Sequence, residues 1–269
     1  MKLKKYITLT RAGIIEALQF RLATVVMVIG NLLYLIVVYF LWKSIYASAG
    51  TDVVNGMTFS DTLIYLVLAT ALFNFMEMYT VWEIGRSIQS GKIVLDLLKP
   101  IEYRKYLFWS YSGTFVTQFI FTFLPTFIIV AAVTHGGIHM GVNLLFFVAS
   151  VVMAVSINYS IDFLVGTVCL FTESIWGINI MKQVIVLLLS GATIPLAFFP
   201  EKLREVVELL PFAAIYDVPL KFLLWDGVSM EPHEPWCMLL FQLFWSIVMM
   251  VLSKLFWKAS LRQITVNGG

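Results

Sequence analysis

Glu77 and Asp162 are the residues whose setting most invites chemistry, because each interrupts a long apolar run. An ionised side chain in hydrocarbon is costly, so each marks either an interhelical contact or a point where a cation is held. Asn74 lies one turn before Glu77 and Asn158 one turn before Asp162, while Arg86 is the expected ion partner of Glu77. His135 and His139 stand four apart, the spacing of two metal ligands on one helix face, but Gly136 and Gly137 between them predict a turn. No third ligand is near them, and no serine or cysteine sits in a nucleophile elbow or beside a base. The stretch Gly85-Arg-Ser-Ile-Gln-Ser-Gly91-Lys92-Ile93 invites comparison with a phosphate-binding loop and fails it. Its glycines are one residue too far apart, Ile93 stands where a hydroxyl would hold magnesium, and no strand precedes it. The chain is thus expected to carry no ATP site. Cys169 and Cys237 match no zinc or redox spacing and read as unpaired thiols.

Composition sets the elements that position these groups. Of 269 residues 60% are hydrophobic and only 13% charged, which is more apolar surface than one globular core can hide. The net charge of +2 gives no reason to expect a nucleic-acid partner. A bilayer needs about 20 apolar residues per helix, because every backbone polar group must be satisfied within the segment. Six runs meet that need, at about 22–42, 62–81, 107–133, 142–171, 184–199 and 236–257. The first continues too far for a signal peptide and is expected to be retained as a span. The fifth is the shortest and contains Pro195, which predicts a broken span.

With the N-terminus inside, fourteen of the eighteen basic residues face the cytoplasm, Lys182 among them, and four face out. That asymmetry predicts a multi-pass protein of the cytoplasmic membrane with both termini inside. Residues 2–21 place Leu3, Ile7, Ile14 and Leu18 at helical spacing among lysines and arginines, the pattern of a basic amphipathic helix on the inner surface. In the cytoplasmic loop 83–106, Ile84, Ile88, Gly91, Leu95 and Leu98 fall near one face of a short helix that Pro100 ends. Residues 200–234 predict a hairpin of two short helices at the outer leaflet, on a face that counts Asp217 among nine acidic residues. The fold class is therefore an all-α integral membrane protein of six transmembrane helices, forming a single domain over 1–269.

This arrangement resembles the permease subunit of an ABC-2-type transporter. Ile88-Gln-Ser-Gly91-Lys-Ile-Val-Leu-Asp-Leu-Leu98-Lys99-Pro100 is similar to that family's loop of glycine, paired leucines, a basic residue and proline. Ser190-Gly191-Ala-Thr-Ile-Pro195-Leu-Ala-Phe-Phe-Pro200, followed by Leu210-Pro211-Phe212, is similar to its fifth-span signature. The resemblance implies export of an unidentified drug, peptide, lipid or glycan, powered by a separate cytoplasmic ATPase that holds the ATP and magnesium. No cofactor is implied in this chain, and the second permease is a copy or a sister subunit. The loop would be a coupling helix, with Leu95 and Leu98 in a groove of the ATPase, Glu83, Arg86 and Lys92 at its polar edge, and Ile88 and Gly91 within it. The substrate path would pass Asn31, Asn74 and Thr193, with Glu77 and Asp162 as further candidates. An ATP-independent secondary transporter is the first alternative, although no inverted repeat is evident. An intramembrane enzyme is the second, and its only candidates are the two histidines.

Overall fold

Long apolar stretches leave the backbone no partner but itself, and the computed structural model is accordingly a bundle of helices. The structure describes residues 2–19, 21–77, 79–134, 138, 141–172, 175–225 and 230–263. Helix α1 (Lys2–Gln19) is followed by α2 (Arg21–Ala49), then by a hairpin of β1 (Val53–Val54) and β2 (Met57–Thr58). Asn55 and Gly56 both take positive φ, 50° and 81°, as a two-residue hairpin turn requires. Thr58 and Asp61 form a reciprocal capping box that starts α3 (Phe59–Met76). Tyr46 Oη joins α2 to that start, bonding Met57 O at 2.9 Å and Thr62 Oγ1 at 2.7 Å.

The chain then forms α4 (Thr80–Gln89), α5 (Lys92–Leu97) and α6 (Tyr103–Gln118), which passes through a π turn at Phe119–Phe123 into α7 (Leu124–Val133). It continues as α8 (Val142–Val168), α9 (Ile175–Leu189), α10 (Glu201–Glu208), α11 (Ala213–Leu224) and α12 (Glu234–Ser260). Among the described residues, five helical stretches are long and apolar enough to cross a bilayer. The sixth apolar helix, α9, has only 15 residues, about 22 Å at 1.5 Å per residue against a core of about 30 Å.

Several expectations are revised here. The fifth segment is placed earlier than the run 184–199, because Gly191 takes φ +78° and Pro195 follows, and neither continues a helix. Lys182 thereby leaves the cytoplasmic loop and enters α9. Of the two short helices in 200–234, α11 is core rather than a surface element: Ala213 to Leu220 are all buried, and α11 packs on α8 and α3. Asp217 is buried with it and drops out of the outer acidic face.

Helix α8 is the axis of the bundle, packed against α12, α11 and α4. Small polar groups fasten these contacts: Ser246 and Ser156 share a hydroxyl bond of 2.9 Å, and the buried Gln242 donates to Ala214 O at 2.7 Å. In a membrane such contacts replace the hydrophobic drive that water would supply. Phe123 lies parallel to Phe127 and Phe147, with ring centroids 6.2 and 5.7 Å apart.

Helix α1 lies along α6, so its role differs from that of a free surface helix. The contact is made by glycines. A Cβ on Gly13 would collide with the Ser110 carbonyl, and one on Gly113 with the Ile14 amide. Thr10 Oγ1 and Ser112 Oγ share a hydrogen bond of 2.6 Å beside them. Because the obstructing atoms are backbone, Gly113→Ala is expected to push α1 off α6 and cost about 1–3 kcal/mol, read as a lower melting temperature of the purified chain.

Candidate functional site

Helices α4 and α5 form an elbow whose bend comes from one residue. Gly91 takes φ +72°, so the single amphipathic helix expected over 84–98 is two helices meeting at an angle. The bend turns Ile84 and Ile93 inward, where both are buried, and leaves Leu95 and Leu98 at the tip, 66% and 77% exposed. Ile88 is half-buried between them. Leu95 and Leu98 thus make an apolar tip beside the exposed polar side chains of Arg86, Ser90 and Lys92.

The polar edge of the tip is already organised. Lys92 Nζ lies 3.1 Å from Glu83 Oε1, and the hydrogen bond to that carboxylate, with its charge, raises the Lys92 pKa. The Arg86 guanidinium lies over the Trp82 ring at 5.8 Å. The expected Arg86–Glu77 pair does not form, since Glu77 accepts instead from Gln183 Nε2 at 3.3 Å.

The elbow is locked to the bundle from below. Gly85 lies so close to Ile175 of α9, and Gly166 of α8 so close to Ile84, that an added Cβ would come within 2.7 Å of either isoleucine. Buried Asp96 takes Lys99 at 2.7 Å, and the Lys99 ammonium sits 3.8 Å from the centre of the Tyr106 ring. Arg104, buried at the start of α6, donates to Ser160 Oγ on α8 and to Met250 O on α12, both at 2.8 Å. The Tyr159 hydroxyl returns a bond to Arg104 O, and Tyr103 stacks on Trp257 at 5.2 Å. The elbow is thus linked by packing and by these bonds to α6, α8, α9 and α12. The i,i+3 spacing of Asp96 and Lys99 was visible in the sequence, whereas the role of Arg104 depends on helices far away in the chain.

The intramembrane polar residues gather in one layer where α3, α8 and α9 meet. Asp162 Oδ1 takes the Lys182 ammonium at 2.9 Å, and the side chains are 1% and 10% exposed. Asn158 Nδ2 donates to Met76 O at 2.9 Å, satisfying a carbonyl that the end of α3 leaves open. The Glu77–Gln183 bond completes the layer, and Asn74, one turn before Glu77 on α3, is buried. Asn31 is half-buried on α2, and Thr193 is half-buried in the turn after α9, neither of them on the three helices that form the layer. His135 and His139 lie outside the described residues.

A second charged cluster sits under α10. Lys221 bridges Asp217 at 2.7 Å and Glu208 at 3.2 Å, and Tyr65 Oη donates to Asp217 Oδ1 at 3.3 Å. Gly191 packs so tightly that an added Cβ would come within 2.7 Å of the Tyr65 hydroxyl. These groups border a cavity of about 380 Å³ that Pro195 and Arg204 also line.

Among known proteins, a family described as "ABC-2 family transporter protein" matches residues 32–268, nearly all of the chain beyond α1. No curated protein matches.

Proposed function

We propose, because this chain belongs to the ABC-2 family of transporter proteins, that its permease fold exports a substrate across the cytoplasmic membrane under the drive of a separate cytoplasmic ATPase. The carrying observation is the elbow: exposed Leu95 and Leu98 on a support fastened to four other helices. An ATPase groove takes the two leucines, with Glu83, Arg86 and Lys92 at its rim. Nucleotide-driven closure is then passed on as rigid-body motion, since packed elements transmit displacement rather than absorb it. Both termini lie inside in this reading, which the excess of basic residues at the elbow end supports.

Helix α2 leaves Leu33, Val37 and Phe40 exposed along its length, and a second permease, a copy or a sister subunit, packs there. The substrate path runs between the two permeases past Asn31, Asn74 and Thr193. Asp162 is already neutralised by Lys182 and Glu77 is bonded to Gln183, so both serve the bundle rather than the cargo. The cargo is a drug, peptide, lipid or glycan.

Gentle detergent purification of the tagged chain from its host tests this reading. A copurifying nucleotide-binding subunit with vanadate-sensitive hydrolysis is the expected result. A solo protein whose transport follows an ion gradient would replace the proposal with a secondary transporter.

A further inference from the structure

Near the start of α6, between α6, α8 and α12, the bundle holds a cavity of about 550 Å³ that neither the elbow nor the polar layer uses. Its volume falls in the range of sites that enclose a small organic ligand. The walls are apolar and largely aromatic, with Phe75, Phe108, Phe115, Val151 and Val155 among them. The mouth is charged, and unevenly so. Arg104, Lys105 and Lys254 stand there against one carboxylate, Glu102, an excess of two positive charges. Arg104 is committed to Ser160 and Met250, and so forms the buried inner edge of that mouth. Lys105 and Lys254 are exposed at the rim, Lys105 holding Glu102 at 2.8 Å. The hydrogen bond from Lys105, with Lys254 and Arg104 adding to it, lowers the pKa of the Glu102 carboxyl, which stays charged and leaves the excess at two.

An apolar slot with a cationic lip, set between membrane helices at one end of the bundle, has the chemistry of a phospholipid site. We propose that this cavity binds an anionic glycerophospholipid, with an acyl chain against the phenylalanines and the phosphate between Lys105 and Lys254. A zwitterionic lipid brings a choline or ethanolamine cation to the same lip and is disfavoured by it. The reading rests on the orientation proposed above only for the leaflet that supplies the lipid, the inner one. Occupancy joins α6, α8 and α12 where Arg104 already does, so the lipid stiffens the support of the elbow.

The test is native mass spectrometry of the full-length chain, released from detergent after equilibration with equal amounts of dioleoylphosphatidylglycerol and dioleoylphosphatidylcholine. The wild type is expected to retain the phosphatidylglycerol preferentially. Lys105→Gln with Lys254→Gln should lower that preference roughly 25-fold, about fivefold for each lysine, with an unchanged melting temperature in detergent alone. Val152→Trp, a change at an exposed wall position, should reduce retention of both lipids by filling the slot. Equal retention of the two lipids by the wild type would overturn the proposal, as would a preference that survives the double lysine variant or retention of both lipids that survives Val152→Trp. None of these readouts involves ATP, so failure here is distinct from failure of the exporter reading.

Discussion

Leu95→Asp is expected to remove substrate-stimulated ATP hydrolysis and transport by at least tenfold while the bundle stays folded. The leucine is two-thirds exposed, so its replacement costs the isolated chain within about 0.5 kcal/mol. In the proposed coupling the same residue enters an apolar groove of the ATPase, where an unpaired carboxylate would cost several kcal/mol, and about 1.4 kcal/mol already makes a factor of ten. Melting temperature, ATPase activity and uptake into vesicles separate the two effects. Leu95→Met, which keeps an apolar side chain of similar size, should restore coupling. Normal stimulated hydrolysis in the aspartate variant would remove the elbow from the drive.

Lys182→Met is expected to do the reverse, lowering stability before any activity can be read. It leaves Asp162 buried at 1% exposure with its ion partner gone, a change that costs about 3–5 kcal/mol when one member of a buried pair is lost. Asp162→Asn alone should be milder, since the charge it leaves unpaired is that of Lys182, the more exposed partner at 10% against 1%, although it too should lower the melting temperature. The double variant Asp162→Asn, Lys182→Met should recover most of the loss, because neither charge then remains. A thermal melt of the three proteins in one detergent is sufficient. If the double variant melts no higher than Lys182→Met, the ion pair is not what holds α8 to α9. A selective loss of cationic cargo by Asp162→Asn, with unchanged melting, would assign Asp162 to the transport path.

These two sites differ in how far the sequence disclosed them. Leu95 and Leu98 were legible, because apolar residues in a polar connecting loop violate the usual solubility of such loops. Asp162 was legible as a problem, yet its solution was hidden. Lys182 follows it by twenty residues and looked like a loop cation, because hydropathy marks the apolar tail of α9 and misses a lysine whose charge is neutralised inside. The same blindness moved α11 to the surface on paper: Asp217 and Pro219 read as breaks, whereas Lys221 one turn on neutralises the first and the proline is carried inside the helix. The bend at Gly91 was missed because side-chain periodicity carries no record of a positive φ. Long apolar helices survive all of these errors, since their hydrogen bonds close locally. Ion pairs between helices form only when distant segments meet, and no local pattern encodes them.

The π turn at Phe119–Phe123 has an effect on how this chain is compared with others. Such a turn adds one residue without advancing the helix by a full step, so the stripe facing the core before it and the one after it are out of phase by about 100°. Phe115 and Phe123 both reach Phe75, eight positions apart, where an unbroken helix would have turned the second away by about 80° and the extra residue brings it back to within about 20°. An alignment run without a gap through this point, against a relative with an ordinary α-helix there, would pair the inward residues of α7 with residues about 100° round the helix. A one-residue gap within 119–123 restores the correspondence, and any residue-by-residue transfer of function onto Leu124–Val133 depends on it.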